Sequence, residues 1–237
     1  MLLLHNSKKT DQVRFSYILF IVSSIAMTAC SCKEKGGKYL EEGEIHYNID
    51  YKGIFIVPKE VLPQTLVVSF KKNKILFEMV GLGNSGIMNL ANPEKKIYDT
   101  YFSLFAKKYY YAAEPGELFP GFDAMEGMII KKTVKTAVIC GYNCKNAEVT
   151  IPGKEHKYEI WYTNEIKIKN PNASNPFSQI DGVLMSFFFI MGSSELHFLA
   201  ETVYNKELPD EIFDRKENYV RVSRENITEF MNRMLSI

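Results

Sequence analysis

The sequence is poor in the residues that usually build a catalytic or metal centre. Its 237 residues include only 4 Cys, 4 His and 1 Trp. Cys30, Cys32 and His5 fall near the start, which leaves Cys140, Cys144, His46, His156 and His197 for the rest. No H-E-x-x-H is present, and Gly192-Ser193-Ser194-Glu195 is not a G-x-S-x-G elbow. Acids are numerous, but no spacing pairs two of them for acid–base work. His156 and His197 lie in segments that nothing in the sequence brings together, so no zinc set with two cysteines is predicted. The expectation is a protein without catalytic residues, metal or cofactor. Charge of one sign is lacking too. The net charge is +1. Without residues 1–29, which hold Lys8, Lys9, Arg14 and Asp11, the balance is 26 basic to 27 acidic, or −1. That leaves no field to collect phosphates, so nucleic acid is not an expected partner.

One motif needs separate treatment. Gly81-Leu82-Gly83-Asn84-Ser85-Gly86 fits G-x-G-x-x-G. A dinucleotide site also requires a helix straight after the glycines, because the helix N-terminus holds the pyrophosphate. Here a β-like segment and then Asn92-Pro93 follow, so a glycine-rich turn is expected.

What the chain does have begins with an address. Lys8, Lys9 and Arg14 precede an apolar stretch of ~13 residues, 15–27, shorter than the ~20 that a helix needs to cross a bilayer. Small residues and Cys30 follow, the order of a secretory signal. Met27-Thr28-Ala29-Cys30 resembles the lipobox of bacterial lipoproteins, with Met27 where Leu is usual. The resemblance implies cleavage before Cys30 and lipidation of that residue. At ~0.8 kcal/mol per buried CH₂, several acyl chains anchor a protein firmly. The alternative is an ordinary secretory signal that ends near a cysteine. Ser31 replaces the inner-membrane retention Asp of enteric bacteria. The outer membrane is therefore expected, the periplasmic face ahead of the cell surface. Residues 31–40, with Gly36 and Gly37, read as a flexible tether.

From Glu42 onward the hydrophobic period is close to two. Ile45, Tyr47, Ile49 and Tyr51 alternate with polar residues, as in a half-buried strand. Residues 65–71 and 74–80 predict a hairpin across Lys72-Asn73. Further strands are expected near 85–90, 96–102, 107–113, 128–140, 144–151, 158–163 and 196–205. The run 182–191 is nearly all apolar and fits a strand buried on both faces, or a buried helix. Residues 168–180 hold three Asn, two Pro and two Ser and predict a long exposed loop. Ser223 predicts a helix N-cap, with Ile227, Phe230, Met231, Met234 and Leu235 on one apolar stripe. Aromatics at 13% suit pleated sheet.

The stretch Ile139-Cys140-Gly141-Tyr142-Asn143-Cys144-Lys145-Asn146-Ala147, followed by Trp161-Tyr162-Thr163-Asn164-Glu165-Ile166, resembles a signature of GLPGLI-type envelope proteins. It also resembles a related Bacteroidetes family of unknown function. Gly182-Val183-Leu184-Met185 stands where the Gly-Leu-Pro-Gly-Leu-Ile stretch would be and lacks its proline, which favours the related family. The resemblance covers roughly residues 130–235. It implies a mainly β (α+β) LolA/LolB-like fold: a curved antiparallel sheet or incomplete β-barrel, with a C-terminal helix and one or two short helices. LolA-like proteins hold acyl chains on the concave side.

These features together predict an outer-membrane-anchored lipoprotein with one β-rich domain over 42–237. Its expected partner is a lipid or other hydrophobic ligand, with Leu184, Phe187, Phe188, Phe189 and Met191 lining the site. The alternative is an interaction protein that docks another envelope protein and has no cavity. Cys140 and Cys144 form a disulfide if Gly141-Tyr142-Asn143 turns tightly, since ~5.5 Å between Cα atoms is needed. Along one straight strand they would be too far apart. Trp161 is expected in the core rather than on a ligand platform.

Overall fold

A computed structural model of the chain describes residues 39–53, 58, 60 and 62–235. The leader, Cys30, Cys32 and most of the tether lie outside the described residues. Twelve strands make one sheet: β1 (Glu42–Lys52), β2 (Thr65–Lys71), β3 (Lys74–Val80), β4 (Gly86–Asn92), β5 (Ile97–Leu104), β6 (Lys107–Ala112), β7 (Ile129–Ile139), β8 (Tyr142–Thr150), β9 (Tyr158–Thr163), β10 (Val183–Met191), β11 (Ser194–Tyr204) and β12 (Val220–Arg221). Their order is β12-β6-β5-β4-β3-β2-β1-β11-β10-β9-β8-β7. Every pairing is antiparallel except that of β12 with β6. The sheet is curved and does not close. Among the described residues its one α-helix is α1 (Arg224–Leu235), beside short 3-10 turns. The expected mainly β, incomplete-barrel architecture is therefore present.

Local chemistry explains the turns. β2 and β3 join across Lys72-Asn73 with the expected register, Lys71 opposite Lys74. β7 and β8 join across Cys140-Gly141, both at positive φ (51° and 82°). That pair of angles makes the tight mirror-image turn whose twist matches that of the strands. Gly86, at the start of β4, has no room for a side chain, since a Cβ would lie 2.2 Å from Met79 O.

The inner face holds the main core. β10 is buried along nearly its whole length, which settles its period in favour of a strand covered on both faces. Phe187 stacks on Phe198 at 4.7 Å, and Phe189 meets Phe122 at 4.5 Å. Phe188, on the other side of the pleat, stacks on Tyr158 at 4.1 Å. Tyr47 donates to Leu184 O at 2.8 Å. Among the described residues, those buried in the core lie between Leu40 and Met231.

Residues 168–180 do not form an exposed loop. Phe177 and Ile180 are fully buried, and Asn172 and Asn175 nearly so. Asparagine amides replace a hydrogen-bonding ladder here. Asn172 Nδ2 donates to Ile180 O and Gly182 O, at 2.8 and 2.9 Å, and Asn175 Oδ1 accepts from Phe177 N. Buried backbone groups must be paired by something. Side-chain amides do so without regular structure, and Phe177 is then free to cap the β10 aromatics.

Beyond β11 the chain wraps around the β6 edge. Leu208 and Phe213 pack with Leu76, Leu90 and Tyr101 as a smaller core on the outer face of β3–β5. Arg215 clamps the buried Asp99 carboxylate with two hydrogen bonds, at 2.7 and 3.0 Å, and Tyr101 donates to the same group at 2.7 Å. β12 then covers β6, with Val222 N bonded to Tyr110 O, and α1 returns over the inner face. Ser223 caps α1 as expected, accepting from Asn226 N at 3.3 Å. Ile227 and Met231 face the core.

Candidate ligand cleft

The residues expected to line a ligand site do not line one. Leu184, Phe187, Phe188, Phe189 and Met191 are all at most 5% exposed. The gap beside Phe189 and Met191 measures about 10 Å³, and that beside Leu184 and Phe187 about 20 Å³. Neither admits an acyl chain. The apolar run of β10 is packing, because Phe122, Phe177 and Phe198 fill the space in front of it.

The two cysteines are also not joined. Cys140 occupies the turn itself, and its thiol donates to Ala200 O at 3.2 Å. Cys144 sits on β8 opposite Ala137 and points into the core. Burial pushes its thiol up to about 11, so it stays protonated and inert at neutral pH. Trp161 is half-buried and packs against the main core, with Tyr162 buried beside it in sequence. The glycines at 81–86 flank a single 3-10 turn, Leu82–Asn84, and a strand rather than an α-helix follows, so the fingerprint lacks the helix that would hold a pyrophosphate. Among the described residues no cluster of His, Cys, Asp or Glu could hold a metal. Among them, too, no helix is long and apolar enough to cross a membrane.

An open cleft of about 560 Å³ lies elsewhere, between the β5–β6 end of the inner face and α1. Phe102 and Leu104 of β5 and Tyr109 of β6 supply its floor. Phe230 of α1 stands over them, with ring centroids 4.8 Å from Tyr109 and 6.0 Å from Phe102. Leu62, Pro63 and the 81–85 turn supply the remaining wall. Its two charged lining side chains, Lys107 and Arg233, are both cations.

Three interactions hold the cleft open at this width. Arg224 donates to Glu117 at 2.8 Å and to Leu118 O at 2.7 Å, which fixes the start of α1 over the loop after β6. Tyr111 donates to Glu117 at 2.9 Å from β6 itself. Gly121 has a φ of +93°, and a Cβ there would press on the terminal methyls of Met231 and Met191, at 2.7 and 2.9 Å, which can swing aside. At the mouth the 81–85 turn touches the β5–β6 turn, with Phe105 N donating to Ser85 Oγ at 3.3 Å. Leu82 and Phe105 project from these turns, 73% and 76% exposed. Lys107 and Lys108 follow directly, and residues 79–93 with 104–108 contain no acid.

The cleft was not foreseen because its walls come from four separated segments. The only local sign was Leu104-Phe105-Ala106-Lys107-Lys108, an apolar turn followed by two cations.

No family model matches the chain, and no curated protein matches it. Among solved structures it is similar to PNGF-II, crystallised in a C2 space group, with a TM-score of 0.50 and 17% identity over 80% of this chain. The chain spans 32% of the length of that protein, and the likeness concerns the fold alone.

Proposed function

We propose that this chain is a non-catalytic envelope lipoprotein, related to the GLPGLI-type proteins, which holds the apolar part of an anionic amphiphile in the β5–β6/α1 cleft. The observation that carries this reading is an apolar cleft of about 560 Å³ whose charged lining groups are both cations. Ligand pockets commonly measure about 300–1,000 Å³ and combine apolar walls with a few polar groups that set orientation. An acyl chain would lie along Phe102, Tyr109 and Phe230, with its head at Lys107 and Arg233. The address at Met27-Thr28-Ala29-Cys30 supports a lipid anchor at Cys30 in the outer membrane. The exposed Leu82 and Phe105, beside Lys107 and Lys108, suit loading from an anionic lipid surface.

Residues 34–237 titrated with cis-parinaric acid, a fluorescent fatty acid, should show saturable binding of one equivalent. Leu104→Asp, which sets a carboxylate in the cleft, should abolish it, and Lys107→Gln with Arg233→Gln should weaken it. Absence of binding, or binding indifferent to Leu104→Asp, would sink the reading. Cys30→Ala should remove radiolabelled palmitate from the full chain in cells.

A second reading has its own support. β7 ends the sheet among the described residues, and Ile129, Val134 and Val138 on it are exposed. An unpaired strand edge is a ready template for another chain. Photocrosslinking from Val134 to an envelope protein, with no fatty-acid binding, would favour this interaction role.

A further inference from the structure

The apolar side chains exposed on this sheet are not spread evenly. Val80, Leu82, Leu104 and Phe105 come together where the 81–85 turn meets the β5–β6 turn, at the mouth of the cleft. An apolar cluster rimmed by polar groups marks a surface that meets another apolar phase. Lys107 stands on the cleft side of this tip. Lys108 lies on the other side, over the Tyr219 ring at 5.5 Å from its centroid. Neither turn carries an acid. Arg233 pairs with Glu229, so the two lysines set the sign of the tip. An apolar point flanked by cations matches the interface of an anionic bilayer, where apolar burial and attraction to the headgroups add.

The strand directions put the tip at one end of the sheet and the chain's entry at the other. β1, β3 and β5 run toward the tip, while β2, β4 and β6 run away from it. The chain enters beside the start of β1, where Tyr39 N donates to Glu165 O at 2.8 Å and Lys72 N to Glu41 O at 2.7 Å. β5 carries eight residues, ~25 Å at ~3.3 Å each. Four strand spacings, ~19 Å at ~4.8 Å each, separate it from β1. Measured across the sheet, the β5–β6 turn is therefore ~30 Å from the entry. The nine residues 31–39 also reach at most ~30 Å when fully drawn out. A tip-first approach to the leaflet that holds Cys30 would need that whole span stretched back along the sheet. A surface on the far side needs no such stretch.

We infer that this tip docks onto an anionic lipid surface other than the leaflet that holds the chain's own anchor, so that the protein bridges two lipid surfaces. The second surface takes up Leu82 and Phe105, Lys107 and Lys108 meet its headgroups, and the mouth of the cleft opens onto it. This bridging rests on the proposed anchor at Cys30 and not on a ligand in the cleft.

The test couples the chain from Cys30 onward, through the Cys30 thiol, to sucrose-loaded phosphatidylcholine vesicles. Cys32→Ser and Cys140→Ser leave only Cys144 besides, which is buried. Fluorescent phosphatidylglycerol vesicles are added at about 0.1 M salt, where charges more than about 10 Å apart are screened. The fluorescence that sediments with the heavy carriers is then measured. Recruitment is expected, and about tenfold less with phosphatidylcholine targets. Leu82→Ser with Phe105→Ser should also reduce it about tenfold and leave the fold intact, since both side chains face solvent. On carriers that are themselves anionic the native span should still recruit. About twenty Gly/Ser residues inserted between Gly36 and Gly37 add about 60 Å of reach and should cut that recruitment severalfold, because the tip then docks on its own carrier. Palmitate labelling and cis-parinaric binding decide the anchor and the ligand separately, as recruitment needs no cargo. Three results would each overturn the bridging: no recruitment of anionic vesicles, recruitment unchanged by Leu82→Ser/Phe105→Ser, or a native span that recruits no more than the lengthened one from anionic carriers.

Discussion

Two aromatic regions of the inner face have nearly the same composition and opposite outcomes. Phe187 and Phe189 of β10 meet Phe122, Phe177 and Phe198, and the space between them closes to about 10–20 Å³. Phe102 and Tyr109 meet Phe230 across the sheet and helix, and about 560 Å³ stays open beside them. The difference lies in what covers each region. The 168–180 segment lays a phenylalanine onto β10 because its asparagines satisfy its own backbone. α1 instead is held off by Arg224, bound to Glu117 and Leu118 O, and it presents a single ring. An aromatic strand becomes core or cleft according to its lid.

The sharpest test of that contrast compares two truncations. Phe187→Ala removes a fully enclosed ring and should cost about 3–5 kcal/mol in urea unfolding. Phe230→Ala removes a half-buried ring and should cost about 1–2 kcal/mol while abolishing fatty-acid binding. Equal losses would break the comparison. Arg215→Ala should cost about 3 kcal/mol, because it leaves the Asp99 carboxylate buried with Tyr101 alone. The partial exposure of Arg215 places this at the lower end for buried pairs. That loss would also loosen α1, which the same strap delivers to the cleft. Leu82→Ser with Phe105→Ser should change stability by under about 0.5 kcal/mol, as both side chains face solvent. The pair should nevertheless slow fatty-acid uptake from anionic vesicles far more than uptake from free solution.

The smallest effect concerns the outer face. Burial holds the Glu78 carboxyl above its usual 4.5, partly offset by Lys216. A folded pKa above the unfolded one gives stability that is complete below about pH 4.5 and is lost as the pH rises through the folded value. Glu78→Gln should therefore raise the urea midpoint at neutral pH and give no gain below pH 4.5. A gain at both pH values would mean that packing, and not charge, sets the cost.

Much of the fold was legible in local pattern. The period of two from Ile45 to Tyr51, the hairpin across Lys72-Asn73 and strand 158–163 agree with the structure residue for residue or nearly so. So does the Ser223 cap. Each depends on neighbours in sequence: pleat alternation, turn residues, and a hydroxyl facing the first free N–H groups. Errors arose where a local sign had two tertiary meanings. Asparagine and proline at 168–180 read as solvent-exposed, yet the amides turned inward. The apolar run 182–191 read as lining a site, although nothing in the run shows whether a lid will fill the space before it. A tight turn over Gly141-Tyr142-Asn143 was the condition for joining the cysteines, whereas the turn falls at Cys140-Gly141. The short β12 pairing went unseen because two residues carry no period.

The sequence by itself determined the alternation of strands, the absence of any recognisable catalytic motif, and an N-terminus that resembles a lipoprotein address. Those properties reside in residue order over a few positions, where periodicity and side-chain chemistry act directly. The tertiary structure alone decided which aromatics close, which stay open, and that Lys107 and Arg233 line one cleft. Each of these brings together segments far apart in the chain. Their placement depends on how the 168–180 lid and the wrapping C-terminal strap pack, and that packing energy is not carried by any one stretch.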